Sequence, residues 1–88
     1  MIKLSTSDKT LGSFSEIDKF AIIPKKLWDD FPAGKKMINI RGKNREVEVY
    51  EILCDCMGKE KKHNHRIIDL RELWKELDLK NKTKIEIK

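Results

Sequence analysis

Both cysteines and both histidines of the chain fall between residues 54 and 65, as Cys54-Asp55-Cys56 and His63-Asn64-His65. Two thiolates and two imidazoles make the ligand set of a closed structural zinc site. In extended chain, residues i and i+2 project from one face, so each pair presents both members on the same side of its strand. A turn over residues 57–62 sets Cys56 opposite His63 and Cys54 opposite His65, with all four on one face. Zinc at Cys54, Cys56, His63 and His65 is therefore the first chemical expectation.

A second reading stays open beside it. Cys54 can be a small buried hydrophobe, with His63 and His65 part of a solvated basic turn that also holds Lys59, Lys61 and Lys62. A Cys54–Cys56 disulfide is disfavoured, because i,i+2 cysteines in a strand lie about 7 Å apart, near the bridging limit. A catalytic Cys/His pair lacks any oxyanion-hole or triad arrangement nearby.

The elements that must position this cluster belong to one domain of 88 residues with a small core. Hydrophobic residues make up 39% and charged residues 40%, and Lys, Glu and Ile are abundant while Gln is absent. That balance is common where ion-pair networks and few thermolabile amides support heat tolerance. The net charge of +5 admits nucleic acid as a partner. No leading apolar run with a cleavage site and no run of eighteen apolar residues is present, so the expectation is a cytoplasmic protein without membrane insertion. Thiols in that compartment stay reduced and free to bind metal.

An internal repeat organises the rest. Ala21-Ile22-Ile23-Pro24-Lys25-Lys26-Leu27-Trp28-Asp29-Asp30-Phe31 aligns without a gap on Ile67-Ile68-Asp69-Leu70-Arg71-Glu72-Leu73-Trp74-Lys75-Glu76-Leu77. After one inserted residue near Asp78, residues 37–40 match residues 84–87. Two repeats, about 1–40 and 46–88, follow from this. Each reads as strand, short helix, strand: a β-branched run at residues 20–23, Pro24 in the first turn of a helix, then Leu27, Trp28 and Phe31 at helical spacing, as Leu70, Leu73, Trp74 and Leu77 recur later. Alternating strands are predicted at 36–40 and 83–87, with further extended segments at 2–4 and 47–54. Residues 41–45 form a polar turn between the halves, and residues 5–18 form a long loop. The repeat equates Asp8, Thr10, Ile17 and Lys19 with the four metal-ligand candidates, so the ligand set is not required by the fold. The predicted interior is Ile22, Leu27, Trp28, Ile38, Ile40, Val47, Val49, Ile52, Ile68, Leu73, Trp74, Leu77, Ile85 and Ile87.

The run from Ile67 to Ile87, and Ile22-Ile23-Pro24-Lys25-Lys26-Leu27 with its proline, resembles the AbrB/SpoVT/MazE swapped-hairpin pattern. The resemblance covers about two thirds of the chain. It implies a mainly β fold with two short helices, in which duplicated hairpin and strand-helix-strand units form a small cradle-loop-type barrel. A chain holding both halves closes its barrel as a monomeric pseudo-dimer, and higher homo-oligomers remain compatible. The resemblance also implies DNA binding through basic residues on the hairpin: Arg66 matches the family's arginine, while His65 stands where that family has glycine. Lys59, Lys61, Lys62 and Arg66 on the second hairpin, with Lys9 and Lys19 in the first, are the candidate phosphate contacts. The expected function is a small DNA-binding transcription regulator with a zinc-stabilised second hairpin. The alternative is a metal-binding structural or sensor barrel without nucleic acid. With no Gly-rich phosphate loop and no acidic pair for magnesium, enzyme activity is not expected.

Overall fold

The computed structural model describes residues 2–9, 16–54 and 63–87, with the side chains of Cys54 and His63 outside the described part. Six strands form a closed antiparallel barrel: β1 (Ile2–Ser7), β2 (Phe20–Ile23), β3 (Gly34–Ile40), β4 (Lys43–Cys54), β5 (His63–Asp69) and β6 (Lys84–Ile87). Their order around the barrel is β1-β2-β5-β4-β3-β6, closing through β1 and β6. The β3–β6 seam is narrow, with the single pair Ile40↔Ile87. Exchanging the first three strands for the last three leaves this order unchanged.

Alternation fixes the interior. Leu4, Ala21, Ile23, Ile38, Ile40, Val47, Val49, Ile68, Ile85 and Ile87 are buried in one cluster inside the barrel. Phe31, Leu70, Leu73, Leu77 and Leu79 from the connections join the same cluster. A second, smaller cluster lies on the outer face, where Ile17, Phe20 and Ile67 are buried with Ile22, Tyr50 and Ile52 against them. The backbone N–H of Leu70 donates to the carbonyl of Lys19 at 2.9 Å, which ties the approach to β2 beside the end of β5.

Several expectations change here. Ile22 and Ile52 belong to the outer cluster, since the period-two alternation puts Ala21 and Ile23 inside. Trp28, Trp74 and Leu27 are half-buried at the rim, and the fully buried aromatic side chains are Phe20 and Phe31. Interior positions recur 47 residues apart, as Ala21/Ile68, Ile23/Leu70, Ile38/Ile85 and Ile40/Ile87. The gapless alignment of 21–31 with 67–77, at a spacing of 46, would set the interior Ala21 against the outward Ile67.

Of the two expected helices, the first is a six-residue 3-10 helix, Lys25–Asp30. Pro24 is its N-cap in extended conformation, and its carbonyl accepts from the Leu27 N–H at 2.9 Å. The turn closes with Phe31 N–H donating to Trp28 O at 3.0 Å, and Pro32 stops further coiling because it disfavours helical backbone at the residue before it. The second expected helix is a run of turns over residues 71–78. Its hydrogen bonds span three residues at Leu70–Leu73, four at Leu73–Leu77 and five at Trp74–Leu79, so no single helical repeat holds. Leu73, Leu77 and Leu79 are buried over the barrel end, and Asp78 turns the chain with φ 50°.

The halves meet in a tight hairpin rather than a five-residue turn. Ile40 pairs with Lys43, and the two loop residues Arg41 (φ 53°) and Gly42 (φ 82°) are both left-handed, the geometry of a type I′ turn that matches strand twist.

Candidate metal and nucleic-acid site on the β4–β5 ribbon

β4 and β5 outlast their neighbours. Pairing of β3 with β4 ends at Gly34↔Val49, and pairing of β2 with β5 ends at Ile23↔Arg66. The β4–β5 ladder continues through Ile52↔His65, Leu53↔Asn64 and Cys54↔His63. These last three pairs have no strand beside them among the described residues, and form a two-stranded ribbon at the end of the barrel.

The register corrects the expected pairing by two residues. Cys54 faces His63, not His65, and His65 faces Ile52. An even displacement keeps every residue on its own face, so Cys54, His63 and His65 still occupy register positions on one side of the ribbon. The described register sets His65 nearer the barrel than the pair Cys54–His63. Inside the barrel the same ladder pairs Ile68 with Val49, both in the interior, and it runs outward in that register. Cys56 lies outside the described residues, as do Lys59, Lys61 and Lys62. Among the described residues no group of three or more His, Cys, Asp or Glu side chains is placed to hold a metal ion.

Arg66 belongs to the barrel rim. Its guanidinium stacks on the Trp28 ring at 4.7 Å from the centroid and donates to the carbonyls of Trp28 at 3.1 Å and Phe31 at 3.2 Å. It also pairs with Glu51 directly across the ladder, at 3.5 Å. Its side chain is only 18% exposed, so the charge faces the carbonyls that end the 3-10 helix. Lys19 is half-buried with its ammonium 3.3 Å from Asp18. Lys9 is exposed at the far end of β1, with its backbone N–H donating to Ser7 Oγ at 3.3 Å. Of the described candidates, Arg66 lies beside the Ile23 end of β2 and Lys19 precedes its Phe20 end, so these two charges are set apart.

Trp28, assigned to the core by its helical spacing, instead lines a cleft with Pro24, Lys25, Asn64 and His65. Its indole N–H donates to the Ile23 carbonyl at 2.9 Å, which fixes the ring at the base of the ribbon. Helical periodicity conceals this role, since a half-buried rim position and a core position share the same spacing. Elsewhere, a cleft between β4 and the second connection is lined by Glu46, Glu48, Tyr50, Asp69, Arg71 and Glu72. There Arg71 forms a two-pronged pair with Asp69, through Nε at 3.1 Å and a terminal nitrogen at 2.9 Å. This hydrogen-bonded carboxylate holds the guanidinium above its ordinary pKa. Among the described residues no helix is long and apolar enough to cross a membrane. The chain matches no protein-family model, no curated protein and no solved structure.

Proposed function

We propose that the chain is a small DNA-binding regulator of the AbrB-like kind, an internally duplicated cradle-loop barrel whose β4–β5 ribbon presents Lys59, Lys61 and Lys62 to the phosphate backbone. The observation that carries this reading is the ribbon: β4 and β5 stay paired through Cys54↔His63 after the barrel's other ladders have stopped. A two-stranded ribbon is one of the elements that fits the DNA major groove. The net charge of +5 supplies the attraction. Duplication is supported by the strand order, which is unchanged when the halves are exchanged, and by interior positions repeating at a spacing of 47.

Cys54, Cys56, His63 and His65 would hold zinc on one face of this ribbon. The donor chemistry fits, and the register keeps Cys54, His63 and His65 on a common side. When bound, the metal supplies a cross-link between two strands that have no lateral neighbours among the described residues, and its binding free energy is folding free energy. The lysine-bearing tip is then presented on a fixed stem.

One observation favours the alternative, a metal-binding barrel without nucleic acid: Arg66 is engaged by Trp28, Phe31 and Glu51. Fluorescence anisotropy on a labelled random duplex, titrated against salt, separates the two. Binding at low salt is expected, with the log–log salt slope falling by about 2.7 when Lys59, Lys61 and Lys62 are changed to Ala, three phosphate contacts at roughly 0.9 each. Folded, zinc-loaded protein that ignores duplex DNA at 50 mM salt would establish the alternative.

A further inference from the structure

We infer that a groove along β1, Pro24 and Trp28 binds a single strand of nucleic acid, with a base against Trp28 and phosphates along Lys84, Lys26 and Lys25. The surface meets the base of the ribbon at Asn64 and His65, whereas Lys25, Lys26 and Lys84 lie outside the ribbon, so it is tested apart from the ribbon lysines.

Two clefts meet there. One, of about 570 Å³, runs between Lys3, Lys84, Ile22 and Lys26; the other, of about 530 Å³, runs from Ile22 past Lys25 to Trp28, Asn64 and His65. They share Ile22 and Pro24, so they are adjacent. Among the described residues no Asp or Glu lines either cleft, whereas the cleft on the β4 side has four, beside Lys35 and Arg71. The separation of charge is therefore local, and sharper than the overall +5 implies. Lys25, Lys26 and Lys84 are exposed. Lys3 has a loose ion pair with Glu86, at 3.7 Å and with both side chains more than half exposed, which an incoming phosphate can replace at little cost.

The aromatic group is placed to complement these cations. Trp28 is half-buried and held by its indole hydrogen bond and by Arg66, and the Lys25 ammonium lies 5.9 Å from its ring centroid. A positive groove with an aromatic platform is the arrangement by which small β-barrels bind unpaired strands. A duplex keeps its bases stacked inside and cannot place one on Trp28, so the occupant is a single strand. Asn64 adds a donor and an acceptor beside the ring for contact with a base edge.

The test uses the full chain with Trp74→Phe, leaving Trp28 as the one tryptophan, titrated with unstructured dT12 and rU12. Quenching of Trp28 by either strand is expected, at least tenfold weaker in Lys25→Ala/Lys26→Ala/Lys84→Ala at unchanged melting temperature, with the salt slope reduced by about 2. Anisotropy of labelled dT12 on the otherwise native chain gives the same comparison should the Trp74 variant not fold. Stronger quenching by rU12 than by dT12 identifies RNA as the source of the strand and supports the site. No quenching and no anisotropy change at low salt, binding indifferent to the three lysines, duplex quenching that the three lysine substitutions weaken as much as they weaken dT12 quenching, or quenching by dodecanoate alone would each overturn it. Because the ribbon lysines are intact throughout, this result and the duplex result stand or fall separately.

Discussion

Tyr50 shows how a single contact on the barrel wall sets a measurable property. It is the chain's one tyrosine, and its hydrogen bond to Glu48, followed by partial desolvation, raises its pKa above the ordinary value. A raised folded pKa means that the protonated phenol is favoured in the native state. The associated stability is therefore complete below the ordinary tyrosine value near pH 10 and is lost as pH rises through the higher folded value. Ultraviolet difference titration should place the transition above that of free tyrosine, and Glu48→Gln should move it back down; a native titration at the free-tyrosine value would refute the contact. Residue chemistry also sets the one buried polar side chain among the described residues, Thr6. Its hydroxyl donates to the Lys80 carbonyl at 2.6 Å and accepts from the Thr83 N–H at 3.2 Å, which fastens the approach to β6 onto β1. Types such as Cys and His announced a possible metal site in the sequence, whereas Thr6 was not legible there because its partners are 74 and 77 residues away.

At the scale of elements, the β2–β3 and β5–β6 connections are each fastened by arginine from elsewhere in the chain. Arg66 on β5 caps the carbonyls that end the 3-10 helix of the first half. Arg41 in the β3–β4 turn donates to the Leu77 carbonyl at the end of the second connection, and Arg45 pairs with Glu76 beside it. Replacing Arg66 by Met should cost about 1.5–3 kcal/mol, the range for hydrogen bonds from a charged donor, read as a lower urea midpoint at unchanged slope. Stability equal to the native chain would return Arg66 to the role of a free surface cation. The strands were legible because two-fold alternation is strong at Ile38/Ile40, Val47/Val49 and Ile85/Ile87. What remained hidden was register, since a two-residue displacement leaves every face unchanged and so leaves no trace in the pattern. The second helix was over-read for a related reason. Leucines spaced to cover a barrel end satisfy helical periodicity while the chain makes bonds of three different spans.

The whole molecule is a barrel with a ribbon at one end, and the two parts have different support. Strands in the barrel are paired around a closed ring over a common interior. Among the described residues the ribbon has only its own ladder, from Ile52↔His65 to Cys54↔His63, and isolated two-stranded hairpins are marginal in water. A cross-link at the sequence's only Cys and His residues would remedy that weakness where it occurs. The most direct measurement is elemental mass spectrometry of untagged protein purified without chelator, beside Cys54→Ser. About one zinc per chain, lost in the variant, is the predicted result for a four-ligand site. Metal-free native protein, or zinc retained in full by Cys54→Ser, would contradict the zinc-held ribbon.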